Sequence, residues 1–392
     1  MNVIGMISGT SYDAIEAVAV RFSLEDRTVH ATVLEHVSAP LDERLRTGIA
    51  QMLPPHATTV EEVCRLDTLV GQSFAEIAAS LSTKHFADAV DVVCSHGQTV
   101  FHWVQDGHAL GTLQIGQGAW IAERTGATVV YDVRSRDVAA GGHGAPLASL
   151  VDVLLLSTNP SNVRAALNLG GIANMTVVGP NTEPVAYDIG PANALMDAAV
   201  TWITDGGEHF DRDGERASRG TVDEQLLNAL LAEPYYVAPA PKSTGKELFH
   251  LEYLRDHLGT RDVAPDDLLA TLTALTATTV ADQFQRCGAR EVYASGGGTR
   301  NPVLMAMIRT MAPHVRVGLI DELGVQEAAK EAVLFALIGF LTVQGLPGCI
   351  ASCTGARTSS VLGALLPGRQ VVRQRALDEA PTKLVFVPLE SA

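Results

Sequence analysis

Aromatic residues are scarce in this 392-residue chain, at 5% of the total, and basic residues are outnumbered. Lys and Arg number 28 against 44 Asp and Glu, a formal net charge of −16. So acidic a chain opposes broad binding to nucleic acid or to an anionic membrane, both of which need positive charge. It leaves open a small phosphate ligand, which backbone N–H groups and a metal can hold. Long apolar runs are missing too. The longest candidate, Ala332 to Val343, contains Gly339 and Thr342 and is shorter than the roughly 20 residues that span a bilayer. The opening Met1-Asn2-Val3-Ile4-Gly5-Met6 has no basic stretch of the kind that begins a secretory signal. The five cysteines, Cys64, Cys94, Cys287, Cys349 and Cys353, form no CxxC pair. We therefore expect reduced thiols and a cytoplasmic protein.

Several catalytic signatures are absent as well. There is no GxxxxGK[ST], no GxGxxG leading from a strand into a helix, no HExxH and no GxSxG. A P-loop, a Rossmann dinucleotide site, a zincin and a hydrolase elbow are excluded in turn. Cys94, Ser95 and His96 are adjacent, and neighbouring strand residues point to opposite faces, so they form no nucleophilic dyad. What is present is 47% apolar and 18% charged residues, the composition of a folded globular protein long enough for two or three domains.

The chain begins with a strand, Val3 to Ile7, a small-residue turn, Ser8-Gly9-Thr10-Ser11, and a returning strand, Ala14 to Phe22. A second hairpin of this kind runs from Val163 through Gly170-Gly171 to Val178. A weaker echo pairs Val92 to Thr99 with Val292 to Thr299, each read as a strand ending in a small-residue turn. The spacing is too long for a solenoid and fits two related halves, each with a mixed sheet. Helical spacing covers Val60 to Leu81, Leu268 to Phe284 and Gln326 to Gln344, with Gly345 closing the last; Asn301-Pro302 opens another helix with a cap and a first-turn proline.

Five stretches carry candidate chemistry. Gly9-Thr10-Ser11-Tyr12-Asp13 exposes successive N–H groups that suit an anion, and Asp13 is placed to hold Mg²⁺ directly or through water. On its own the tip reads more readily as an ordinary hairpin turn, the more frequent case. Gly296-Gly297-Gly298 sits between a strand and a helix, where a nucleotide can press against backbone. Asp188 follows the strand Pro184 to Tyr187 and precedes a helix, a position that suits a general base and a helix-capping Asp alike. Arg134-Ser135-Arg136-Asp137 with Gly141 to Pro146 joins two arginines to a glycine-rich loop; it reads as an anion fork or as a loop with an internal salt bridge. Ser95-His96-Gly97-Gln98 offers hydrogen bonds to a polyol, though a lone His in a turn is more often structural.

Taken in order, these stretches resemble the bacterial 1,6-anhydro-N-acetylmuramic acid kinases. The match runs from Ile4 to Gly368 and includes Thr112 to Gly116, Leu167 to Asn174, Asp188 to Asn193, Pro241-Lys242-Ser243-Thr244-Gly245 and Gly345 to Gly348. The resemblance implies an α/β protein of the actin-like ATPase and sugar kinase fold, with two duplicated domains and mixed central sheets around an ATP cleft. The domains would be 1–135 with 362–392, and 136–361. It implies that ATP phosphorylates O6 of the anhydro sugar while water opens the 1,6-anhydro bond, giving N-acetylmuramic acid 6-phosphate for cell-wall recycling. Asp188 would be the catalytic base. Gly9, Thr10, Ser11, Tyr12, Asp13, Ala14, Ile15 and Glu16 would form the ATP phosphate loop, with Gly170, Gly171, Gly296, Gly297 and Gly298 also on the nucleotide. His96, Gln98, Arg134 and Glu331 would meet the sugar, and Asp13 would hold Mg²⁺. A homodimer is implied. Two motifs depart from the family pattern: Ala14 stands for Gly and Glu16 for Asp in the hairpin, Ile189 for Thr and Ala192 for Gly after Asp188. Two alternatives stay open: a kinase of another anhydro sugar, such as levoglucosan, and a non-catalytic ATP-binding protein of the same fold.

Overall fold

The computed structural model describes residues 1–158, 161–240, 242–369 and 379–389. Pro241, from the stretch quoted above, and residues 370–378 and 390–392 of the expected C-terminal segment lie outside them. The chain divides into two compact units, Met1–Thr158 with Leu323–Ala392, and Asn159–Glu322.

The first unit holds β1 (Asn2–Ser8), β2 (Ala14–Glu25), β3 (Thr28–Pro40), β4 (Val92–Gln105), β5 (His108–Ile115) and β6 (Thr128–Tyr131). The second holds β7 (Arg164–Leu169), β8 (Ile172–Val178), β9 (Val185–Pro191), β10 (Glu291–Ser295) and β11 (Arg316–Leu319). The returning chain adds β12 (Ala364–Leu366) and β13 (Lys383–Phe386) to the first unit.

The first sheet runs β12-β6-β4-β1-β2-β3-β13, with β5 paired to β4; the second runs β11-β10-β7-β8-β9. In the first, β1–β2 and β2–β3 are antiparallel, and β1–β4 and β4–β6 are parallel. In the second, β7–β8 and β8–β9 are antiparallel, and β7–β10 and β10–β11 are parallel. The five strands β3-β2-β1-β4-β6 therefore recur, with order and direction kept, as β9-β8-β7-β10-β11. This is the duplicated α/β architecture with mixed sheets. Both hairpins read from the sequence are its first two strands.

Each sheet is covered by helices with apolar faces. In the first unit the 27-residue helix Val60–Phe86 buries Leu66, Val70, Phe74 and Ala78 against Ile4, Met6 and Val93. Thr59 caps it by accepting the Glu62 N–H. The helix Lys330–Thr342 is buried from Ala332 onward. It approaches β1 so closely that a Cβ on Gly5 would lie 2.1 Å from the Ala332 carbonyl oxygen, and one on Gly339 would lie 2.7 Å from Cys94 Cβ. That packing places residues 323–361 in the first unit, so its second segment begins at 323 rather than 362, and its first runs to 158 rather than 135. In the second unit, Leu268, Leu272, Leu275 and Phe284 of helix Pro265–Cys287 pack on Leu167, Met175 and Val292.

Two local expectations are corrected. Val92 to Thr99 does not end in a turn: β4 continues to Gln105, because Gly97 takes a left-handed φ of 74° and lets the strand bulge. Before the bulge β4 pairs with β1 and β6; after it β4 pairs with β5, with Gln98 also opposite Ser8 of β1. The helix expected from Gln326 begins at Lys330, after a single 3₁₀ turn at Glu327–Ala329, and ends at Thr342. All five cysteines are free, and among the described residues no helix is long and apolar enough to cross a membrane.

The Gly5 contact gives a direct test. Gly5→Ala drives a methyl into helix backbone that cannot swing aside, so it should destabilise the chain by about 1–3 kcal/mol or more. Urea unfolding monitored by circular dichroism measures it; a midpoint equal to the parent's would contradict the packing described.

Candidate active site

At the β1–β2 tip the chain turns between Ser8 and Ala14. The Tyr12 N–H donates to the Gly9 carbonyl at 3.1 Å, with Tyr12 at a φ of 43°. Asp13 Oδ1 accepts from Ser11 Oγ at 2.7 Å and from the Ala14 N–H at 3.0 Å. Its Oδ2 has no hydrogen-bond partner among the described residues, and Asp13 is exposed. The loop residues beyond it serve the fold. Ile15 is buried in the first unit's core. Glu16 accepts from Ser38 Oγ at 2.5 Å and lies 2.7 Å from His36 Nε2, across the sheet from its own strand. The longer arm that distinguishes Glu16 from the family's Asp is thus spent on β3.

Gln98, expected at the sugar, is fully buried. Its Oε1 accepts from Ser8 Oγ at 2.6 Å, and its Nε2 donates to the Thr99 carbonyl. It ties β1 to β4 just below the tip. His96 and Arg134 do come together: Arg134 Nε donates to His96 Nε2 at 2.8 Å, and the His96 Nδ1–H donates to the Gly97 carbonyl. His96 is therefore the neutral Nδ1–H tautomer. Burial first, and the Arg134 charge second, push its pKa down to about 3. Burial also lowers Arg134 to about 10, against the opposing pull of Glu331 and Asp137. Glu331 is exposed, in the first turn of helix Lys330–Thr342.

In the second unit Gly170, Gly171, Gly296 and Gly298 meet at one corner with the start of helix Asn193–Ile203. Asn193 Nδ2 donates to the Leu169 and Gly170 carbonyls at 3.1 and 2.8 Å. The Ala192 and Ala194 N–H groups donate to the Gly171 carbonyl. Gly296 has a φ of 91°, and a Cβ there would lie 2.6 Å from Asn168 Oδ1; one on Gly298 would lie 2.8 Å from Leu169 Cβ. The fold itself requires those two glycines. It does not require three others. A Cβ would meet nothing nearer than 3.9 Å at Gly9 or 3.6 Å at Gly171, and nothing within 4 Å at Gly297, and none of the three has a positive φ.

Asp188 lies in the middle of β9, not at its end, opposite Asn174 of β8. It caps no helix: the cap position before Asn193 is Ala192, and no side chain bonds there. Asp188 Oδ2 accepts from Ser243 Oγ at 2.8 Å and from the Thr244 N–H at 3.0 Å, while Oδ1 has no hydrogen-bond partner among the described residues. The Asp188 N–H donates to the Lys242 carbonyl, and Tyr235 OH donates to the Asp188 carbonyl at 2.8 Å. Lys242 Nζ is held by the carbonyls of Tyr235 and Tyr236. Burial raises the Asp188 pKa; the Thr244 N–H and the Ser243 hydroxyl lower it in part. The departures beside it point elsewhere. Ile189 lies in the second core, on the opposite face of β9, and Ala192 is fully buried.

Ser243, Thr244, Lys242 and Tyr235 were given no role from the sequence. The sequence signal is the Lys242-Ser243-Thr244-Gly245 stretch of the family pattern, which nothing local links to a carboxylate 55 residues earlier.

A sequence model of one family, described as anhydro-N-acetylmuramic acid kinase, matches residues 1–368. The chain belongs to the anhydro-N-acetylmuramic acid kinase family. Relatives named anhydro-N-acetylmuramic acid kinase include one from Streptomyces coelicolor, 57% identical over 374 residues and 95% of each chain. One from Rhodococcus erythropolis is 52% identical, covering 97% of this chain and 98% of its own. One from Caldanaerobacter subterraneus subsp. tengcongensis is 38% identical, covering 93% and 96%.

The Asp188 cradle offers a test of whether this carboxylate takes part in the reaction. Ser243→Ala removes a donor that favours the carboxylate, so the Asp188 pKa rises and the charged fraction at a given acidic pH falls. The acid limb of kcat/KM should move to higher pH; an unmoved limb would detach Ser243 from the chemistry.

Proposed function

We propose that this kinase takes 1,6-anhydro-N-acetylmuramic acid and ATP, and that Asp188 is the base that activates the ring-opening water. The observation that carries the reading is the asymmetry of its carboxylate. One oxygen is pinned by Ser243 and Thr244, and the other is left without a protein donor. A base must be aimed and must keep an acceptor for the proton it removes. Burial raises the pKa of Asp188 above the usual aspartate value, which makes the carboxylate a better proton acceptor, while the two donors favour its charged form.

The reaction balances as follows. Water gives a proton to Asp188 Oδ1 as its oxygen bonds to C1 of the sugar. The C1–O6 bond breaks, and O6 takes the γ-phosphoryl group as the bond to ADP breaks. The product is N-acetylmuramic acid 6-phosphate. The transfer itself asks for positioning and charge neutralisation more than for covalent help. The tips at Gly9, Gly171 and Gly297 supply backbone that a phosphate can approach, and their lack of any steric reason to be glycine supports ligand contact there. Mg²⁺ suits a site with one free carboxylate oxygen, Asp13 Oδ2, because this ion keeps most of its waters and is held largely by the nucleotide. Among the described residues no cluster of three or more His, Cys, Asp or Glu makes a metal cage, which fits an ion that arrives with ATP. Arg134, with Glu331 beside it, is assigned to the sugar. Gln98 and Ile15, buried and satisfied by the fold, support these groups from behind. A homodimer is supported by the resemblance alone, and a cytoplasmic location by the five free cysteines.

Two variants test the assignments. Asp188→Asn keeps the shape and removes the base, so turnover should fall about 10²–10⁴-fold. No phosphorylated anhydro sugar should accumulate, because O6 is freed only as the ring opens. Single-turnover product analysis decides it; near-normal turnover would end the assignment. Gly297→Val meets only open space in the protein. It should leave the melting curve unchanged and weaken ATP binding in a calorimetric titration. Unaltered ATP affinity would remove this turn from the nucleotide site.

A further inference from the structure

We propose that Asp137 is a positioning residue for sugar recognition: from inside the first unit it fixes the loop carbonyl that aims Arg134 at an anionic group of the sugar. The inference rests on the reading above that Arg134 meets the sugar.

Asp137 has 0% exposure. Its Oδ2 accepts the Gly144 N–H at 2.8 Å, and its Oδ1 accepts the Thr354 hydroxyl at 2.8 Å. Its own N–H donates to the Arg134 carbonyl, and its carbonyl accepts the Gly142 N–H. The loop wraps so tightly that a Cβ on Gly142 would lie 2.3 Å from Asp137 Oδ2. The Gly144 carbonyl, on the same peptide stretch, accepts from Arg134 Nη1 at 2.6 Å, and Arg134 Nε is held by His96. Two of the guanidinium's nitrogens are thus fixed, and Nη2 makes no hydrogen bond among the described residues. The chain of contacts runs from Thr354 through Asp137 and Gly144 to Arg134.

The internal salt bridge read from the sequence is not what forms: among the described residues no Lys or Arg makes an ion pair with Asp137. A buried carboxylate bound only by neutral donors is costly unless a charge nearby balances it. Arg134 is that charge, and Asp137 in turn helps to keep the half-buried Arg134 protonated. A carboxylate accepts on both sides at once and carries the charge that faces Arg134; an amide keeps the shape, its N–H met by a turned Thr354 hydroxyl, and removes that charge. The residue therefore does two things for Arg134: it sets the direction of the fork and supports its charge. The substrate group this suits is a carboxylate, the group that separates anhydro-N-acetylmuramic acid from neutral anhydro sugars such as levoglucosan.

The test compares KM for anhydro-N-acetylmuramic acid, KM for its methyl ester and KM for ATP in the full-length protein and three variants. Misplacing a recognition group by about 1 Å costs up to about 10²-fold. Asp137→Asn should therefore raise the acid's KM by about 10–100-fold while the ester and ATP values stay near the parent's. Thr354→Val keeps the carboxylate and removes one of its donors, so it should move the acid's KM in the same direction by less. It carries the test if Asp137→Asn does not fold. Arg134→Gln should abolish the preference for acid over ester. If that preference survives Arg134→Gln, the placement of Arg134 at the sugar is wrong and the proposal falls with it. If Arg134→Gln abolishes it and neither Asp137→Asn nor Thr354→Val changes it, Asp137 is a structural residue and the proposal alone is overturned.

Discussion

Helix Lys330–Thr342 lies on β1 with backbone almost against backbone, and the first unit is arranged around that contact. It is open only to glycine at position 5, since any Cβ would enter the helix at Ala332 and Ala336. The helix, buried on nearly every side, brings a stretch more than 300 residues away in sequence onto the N-terminal hairpin. Its first turn presents Glu331, and the Lys330 ammonium forms a 2.5 Å ion pair with the buried Asp152 of helix Ser149–Leu156. A single close approach thus sets the position of the N-terminal hairpin's base and of the acidic residue beside Arg134.

The second unit solves a different problem with the same strand order. The role proposed for Asp188 asks for a carboxylate that is half-buried, to be a good proton acceptor, yet remains charged. Desolvation and hydrogen bonding act in opposite directions on Asp188, and both are supplied by the fold: β9 places the carboxylate in the sheet, and the 242–244 segment brings one hydroxyl and one backbone N–H to a single oxygen. Arg134 in the first unit shows the mirror case. Burial lowers its pKa to about 10, still far enough above neutrality for a permanent charge.

Local patterns were legible in the sequence. Alternating apolar residues around small-residue turns marked both hairpins, and Asn301-Pro302 marked a helix start that the structure caps with Asn301 Oδ1 on the Val303 and Leu304 N–H groups. The family pattern marked Asp188. What could not be read was long-range partnership. Gly97 suggested a turn because nothing in the sequence tells that β5 waits to pair with the rest of β4. Gln98 suggested a ligand because its amide partner, Ser8, is 90 residues away. Asp188 reads in the sequence equally as a cap or a base, and only the structure, with Ala192 at the cap position, excludes the cap. The three glycines that the fold does not need could be told from the two that it does only once their neighbours were known.

In the reaction proposed for this kinase, water opens the anhydro bond at C1 while the sugar's own O6 receives the phosphoryl group. One turnover in ¹⁸O-labelled water, quenched early and read by mass spectrometry of the product fragments, tests it most directly. The account predicts one ¹⁸O in the C1 hydroxyl of the 6-phosphate product and none in its phosphate. Label in the phosphate, or a product without label at C1, would contradict it.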